Sequence, residues 1–268
     1  MTTSSNGRAA TLLGLTSLVL VAVAPGAARA QAPGMDPRAV KLLHGMTTYL
    51  GGLKQFSVDT QNTVEDVLDS GQKIQYDIAA SGIVQRPNMM RAERKGDLVN
   101  QIWYYDGKML TLYNVTDKYY ATVPAPGTIE EMLDFARESL GLIAPASDLL
   151  YRNAFPLLMK AVTTGMVVGK AAIGGVRCDH LAFSGPRVDF QVWIPEAGKP
   201  LPRKYVVTDK SVPAQPEYMV LMNNWNVAPN LSEARFTFVP PPGARRTEFM
   251  KLSPDGTFTM PTPTGARP

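Results

Sequence analysis

Between residues 56 and 238, apolar side chains recur at every second position in one short segment after another. That period of two constrains the fold more than any other property of the chain. In VDFQVWIPE, residues 188 to 196, Val188, Phe190, Val192 and Ile194 fall on one side of an extended chain, while Asp189, Gln191 and Trp193 fall on the other. Phe56, Val58, Thr60 and Val64 alternate with polar neighbours in the same way, as do Ile74, Tyr76, Ile78, Ala80 and Val84. Ser70-Gly71 is the turn between those two segments, and Lys95-Gly96-Asp97, Asp106-Gly107 and Thr116-Asp117 mark the turns that follow. Connections this short join antiparallel neighbours, so the expectation is about ten antiparallel strands with one wet face and one apolar face.

Three helical segments interrupt the pattern. Pro37 opens one in which Val40, Leu43, Met46, Thr47 and Leu50 recur at helical spacing, and Gly51-Gly52 stop it. Thr128 and Glu131 form a capping box ahead of an apolar stripe of Ile129, Met132, Leu133, Ala136 and Leu140. Ser147 is expected to cap the third, with Leu150, Ala154, Leu157, Leu158 and Ala161 on its stripe and Pro156 bending or breaking it. Strands resume near Thr163 and continue through RCDHLAF, VDFQVWI, LPRKYVVTD, EYMVLMNNWNV and ARFTFV, where Pro240-Pro241-Pro242-Gly243 ends the last.

Width then decides what the apolar face covers. Ten strands about 4.8 Å apart make a sheet on the order of 48 Å across, while one helix covers a strip about 10 Å wide. A twisted sheet this broad curls, and a curled sheet with helices across its mouth encloses apolar space. The competing outcome is that the helices fill that space, because protein interiors pack densely. Twelve Met residues after Met1, with Met132, Met159, Met166, Met219 and Met222 among them, suit an adaptable lining but also simple gap filling. Bulky residues on both parities of QIWYYDGKMLTLY leave some of Trp103, Tyr105, Leu110 and Leu112 without an obvious partner inside that hairpin.

Residues 1–30 read as a signal peptide: Arg8 precedes the apolar run Thr11 to Ala24, and Ala28-Arg29-Ala30 is a small-x-small cleavage signal. The run is short for a membrane span, so no transmembrane anchor is expected after cleavage, and no cysteine lies there to accept a lipid. The protein is expected to be soluble and periplasmic. Residues 31–252 then form one domain, and residues 253–268, rich in Pro, Thr and Gly, form a disordered tail. Without Arg8 and Arg29, the 27 basic residues become 25 against 23 acidic ones, and that near balance argues against nucleic acid as a partner.

No cofactor, metal or catalytic residue is expected. Cys178 and His180 project to the same side of one strand, the only neighbours resembling a nucleophile and its base, while Asp179 points away. A Cys/His hydrolase is thus one alternative; a half-buried strand in which Cys178 packs is the plainer reading. Two histidines, His44 and His180, and one cysteine make a poor zinc set. A second alternative is an envelope scaffold that binds a protein partner through an open sheet edge.

The run VRCDHLAFSGPRVDFQVWIPEAGKPLPRK, with RPNMMRAE and DGKMLTLYN upstream and FTFVPPPGA downstream, resembles a bacterial family of predicted periplasmic proteins of unknown function. The resemblance spans residues 36 to 248, and the family is similar to the lipoprotein-carrier superfamily of LolA, LolB and the mycobacterial LppX type. It implies a mainly β, α+β fold: a curved antiparallel sheet forming an incomplete β-barrel, with helices as a lid over acyl chains or another apolar ligand. The carriers' lid arginine has no assignable counterpart in this sequence.

A lipid or lipid-modified ligand is the expected partner, with envelope proteins as further candidates. Burying an acyl chain of about sixteen carbons yields roughly 12 kcal/mol at ~0.8 per methylene, against at most about 1 for an exposed ion pair. Affinity should therefore reside in the lining. The expected lining is Phe56, Val58, Ile74, Tyr76, Ile78, Val188, Phe190, Val192, Phe236 and Phe238, with Met132, Leu133 and Phe135 from the lid.

Overall fold

The computed structural model describes residues 34–249, except 98, 143 and 145, together with the backbone of two short strands beyond them. The leader expected over residues 1–30 lies outside the described residues. Helix α1 (Pro37–Gly52) begins as its sequence dictates, with Asp36 accepting from the Arg38 amide ahead of Pro37. Then follow β1 (Gln55–Val67), β2 (Lys73–Gln85), β3 (Met89–Gly96), β4 (Asn100–Tyr105), β5 (Met109–Asn114) and β6 (Tyr119–Pro124), a meander of hairpins.

Helix α2 (Ile129–Leu140) comes next. Thr128 accepts from the Glu131 amide at 3.2 Å while Glu131 accepts from the Thr128 amide at 3.1 Å. The third expected helix is instead two pieces, a 3-10 turn (Ser147–Leu150) and a short helix α3 (Ala154–Met159). Ser147 lies inside the turn and caps nothing. The break falls before Pro156, which the first turn of a helix tolerates because its amide is not needed there. Strands β7 (Thr164–Ile173), β8 (Val176–Ser184), β9 (Val188–Pro195), β10 (Lys204–Asp209) and β11 (Glu217–Asn226) complete the main body.

With β12 (Arg245–Thr247), these strands join one sheet in the order β12-β6-β5-β4-β3-β2-β1-β11-β10-β9-β8-β7. Its two ends do not pair with each other among the described residues, so the result is an incomplete barrel with helices across its inner face. One departure from a purely antiparallel sheet is β12 (Arg245–Thr247), which runs parallel to β6.

That pairing explains why ARFTFV is not a strand. Leaving β11, the chain must reach the far edge at β6, so residues 227–244 cross the outer face as a strap with a 3-10 turn at Glu233–Arg235. Phe238 packs there on Tyr104, Tyr113 and Tyr120 at 5.3, 5.5 and 4.9 Å. Just ahead of the expected tail, β13 (Lys251–Leu252) pairs with β14 (Phe258–Thr259) within it; the rest of 253–268 lies outside the described residues.

Helix α1 lies against β7, β8 and α3. Its Ala39, Leu43 and Met46 are buried in one core with Leu181, Phe183, Phe190 and Val192. Phe183 stacks on Phe190 at 4.9 Å, and Phe190 meets Tyr205 at 5.9 Å. This half of the inner face is solid.

Candidate functional site

The other half is not. Cross-strand register sets the inner-face residues of β1 to β4 in rows. The first row is Phe56, Val84, Met90 and Tyr105, all bulky. The second is Val58, Gly82, Ala92 and Trp103, and the third is Thr60, Ala80, Arg94 and Gln101. Gly82, Ala80 and Ala92 are too short to reach the roof. A cavity of about 190 Å³ opens above them, walled also by Leu50 of α1, Leu133 of α2, and Val220, Met222 and Trp225 of β11. Ala146, Ser147, Leu149 and Leu150 form its roof.

A second space of about 170 Å³ lies on the far side of Trp103 and Leu133, lined by Ala136, Arg137, Leu142 and Asp148. For scale, a 150 Å³ apolar cavity can hold benzene, and ligand sites typically run to ~300–1,000 Å³. The first cavity alone takes a slender apolar group; the two joined reach the lower end of that range.

The wall has a polarity gradient along the strands. Toward Phe56, Val84 and Met90 it is hydrocarbon. Toward Thr60, Asn62, Arg94 and Tyr218 it becomes polar. Asn62 is buried but satisfied: its Nδ2 donates to Thr60 Oγ1 at 2.9 Å and to the Ile78 carbonyl at 3.0 Å, and its Oδ1 accepts from the Tyr218 hydroxyl at 2.8 Å. Burial pushes the Tyr218 phenol up to about 12, so it stays a donor. Trp103 Nε1 is buried with no partner among the described residues.

The roof is fastened at its edges. Tyr151 donates to Asp134 of α2 at 2.7 Å, and the Arg152 amide donates to Glu130 at 2.9 Å. Glu130 also meets the buried Arg86 guanidinium at 3.4 Å. A side chain at Gly51 would place its Cβ 2.0 Å from the Arg152 carbonyl, so glycine is required where α1 meets this segment. Burial pushes the Asp148 carboxyl upward, with Arg137 opposing and Asp134 adding to the shift.

Of the thirteen expected lining residues, the structure brings Phe56, Val58 and Leu133 to the cavity wall. Ile74, Tyr76 and Ile78 share the parity of Gly82 but lie further along β2, past its polar end. Phe190 and Val192 belong to the solid core under α1, so VDFQVWIPE covers packed protein and lines no groove. Val188 is 42% exposed at the strand's start. Met132 is wholly buried within the core and Phe135 packs against it. Phe236 is buried beside the 3-10 turn of the strap, and Phe238 lies on the outer face.

Sequence reasoning does not reach most of the wall, including Gly82, Ala80, Ala92, Arg94 and Trp103 of the sheet, Leu50 of α1, the roof at Ala146–Leu150, and Val220, Met222 and Trp225 of β11. The available signal was the run of small residues at the inner parity of β2 and β3.

On the outer face, Cys178 is buried with Trp193 and Val206, and burial pushes its thiol up, away from a thiolate. His180 Nε2 lies 2.9 Å from Gln191 Oε1 and its ring stacks on Trp193 at 4.0 Å. Asp179 instead faces inward and pairs with Arg38 at 3.0 Å. Each of the three is thus engaged separately. Among the described residues no group of three His, Cys, Asp or Glu side chains could hold a metal ion, and no helix is long and apolar enough to cross a membrane.

Comparison with known proteins adds a family. The family described as "Predicted periplasmic protein (DUF2092)" matches residues 39–250. No curated protein sequence matches. Among solved structures, LprF from Mycobacterium bovis is similar with a TM-score of 0.48 at 16% identity, over 79% of this chain and 100% of that one. An uncharacterized conserved protein from Thermus thermophilus gives 0.46 at 12%, over 79% and 99%. The lipoprotein LppX of Mycobacterium tuberculosis gives 0.43 at 14%, over 74% and 100%.

Proposed function

The chain belongs to the DUF2092 family of predicted periplasmic proteins, and from that premise we propose that it binds the apolar part of a lipid or other hydrophobic ligand, without altering it chemically. The observation that carries this reading is the cavity over Gly82 and Ala92, walled by Phe56, Val58, Leu133, Met222 and Trp225. Removing apolar surface from water supplies the affinity, about 0.8 kcal/mol per methylene buried. Among the described residues of the wall there is no acid paired with a base.

At 190 Å³ the space accepts part of an acyl chain. A longer chain requires the Ala146–Leu150 roof to shift and join the second space. The roof suits that motion, because it is a 3-10 turn held by a few polar contacts, whereas α1 is a packed helix of sixteen residues.

Native mass spectrometry of protein purified gently from the periplasm tests the reading. The expected result is an added lipid mass that is absent from an Ala92→Leu variant; a bare polypeptide mass in both argues against it. The competing reading is a protein partner added to the β7 edge, where Met166 and Val168 are 47% and 51% exposed. That reading predicts a bare mass and a partner lost on Val168→Lys.

A further inference from the structure

We infer that the ligand of this cavity carries an anionic head, bound by the Arg94 guanidinium with Trp103 Nε1 donating beside it. The inference rests on the apolar-ligand reading and adds the chemistry of the ligand's polar end. Register places Arg94 on the inner face in the row Thr60, Ala80, Arg94 and Gln101, one row beyond Trp103 and at the polar end of the cavity wall.

Two other arginines of this region, Arg86 between β2 and β3 and Arg91 on β3, are paired. Arg86 meets Glu130 at 3.4 Å, and Arg91 meets Glu93 while lying 5.2 Å from the Tyr104 ring centre. Arg94 has no carboxylate within ion-pair distance among the described residues. A guanidinium is charged at every relevant pH and matches a planar carboxylate or a phosphate. Half-buried in a cavity wall, it selects a negative group over a neutral one.

Trp103 supplies the independent observation. Its side chain is more than nine-tenths buried, and its Nε1 has no partner among the described residues. Buried indole N–H groups normally find an acceptor, and here the ring borders the cavity. Nε1 itself is closed off from the cavity in this structure, so an oxygen of the ligand's head, or an ester oxygen just below it, meets this donor through a small turn of the indole. Asn62 and Tyr218 are already bonded to each other and so do not compete for the role. The gradient sets the ligand's direction: head at Arg94, chain over Ala92 and Gly82, tail end toward Phe56 and Met90.

Isothermal titration with decanoate and decanol separates the head from the chain. The wild type is expected to bind decanoate about tenfold or more tighter than decanol, as a charge-assisted hydrogen bond allows. Arg94→Gln should bring decanoate down to the decanol level and leave decanol unchanged, which also shows that the variant is folded. Trp103→Phe should weaken decanoate by a smaller factor. Equal binding of the two amphiphiles by the wild type, or an equal loss of both in Arg94→Gln, overturns the anionic head while leaving the apolar site intact. Failure of both to bind the wild type overturns the head and the site together.

Discussion

The half of the inner face under α1 and the half under the 3-10 roof come from the same alternating pattern, yet one is core and the other holds a cavity. Under α1 every inner position of β8 and β9 from Leu181 to Phe183 and from Phe190 to Ile194 is large, and a regular helix presses Ala39, Leu43 and Met46 onto them. Under the roof the corresponding positions are Ala80, Gly82 and Ala92, and what lies above is a single 3-10 turn and its flanking loop. Alternation therefore says which face is apolar. Side-chain size within a cross-strand row, together with the regularity of the covering element, says whether that face is filled.

Substitutions that treat the halves alike break or sharpen this contrast. The largest effect is expected from Phe190→Ala, which empties a ring stacked on Phe183: about 3–5 kcal/mol of stability, read by urea denaturation. Leu133→Ala should cost less, near 2 kcal/mol, because one side of Leu133 already faces empty space and has fewer contacts to lose. Equal costs at the two positions would mean that the cavity is closed up in solution.

Ala92→Leu should change stability by less than about 1 kcal/mol, since the added carbons enter a void and displace no neighbour. The same change placed on the solid side, Ala39→Leu, should cost about 1–3 kcal/mol.

The smallest expected effect is at Asp148. Its folded-state carboxyl is raised by burial, so its protonated form is the one the fold favours. That stability is fully present below the ordinary aspartate value near 3.8 and is lost as pH rises through the higher folded value. Asp148→Asn should therefore raise stability at pH 7 by a small margin, under about 1 kcal/mol for a group only partly buried, read by urea denaturation. At pH 3 the margin should vanish.

Much of this was legible in the sequence and some was not, for separable reasons. The start of α1 at Pro37, the capping box at Thr128 and the inner parity of Phe56, Val58, Ile78 and Phe190 depend on neighbours a few residues away, so local pattern specifies them. Phe236 and Phe238 alternate like strand residues, but their place follows from where the chain must go next, to an edge on the far side of the sheet. Alternation gives Phe190 and Val192 their inner face, but only the sheet order shows that α1 covers them. The cavity is hardest to see, since it consists of what Gly82, Ala80 and Ala92 lack.

The central claim is that the apolar guest sits between β1–β4 and the roof, and the chain carries its own reporters for it. Of its three tryptophans, Trp103 and Trp225 line the cavity, and Trp193 lies on the outer face. Titration with a brominated fatty acid, which quenches tryptophan emission on contact, should quench the wild type and a Trp193→Phe variant alike. A variant with Trp103→Phe and Trp225→Phe, whose emission comes from Trp193 alone, should stay bright. Quenching that survives in that double variant, or none in the wild type, would contradict the account.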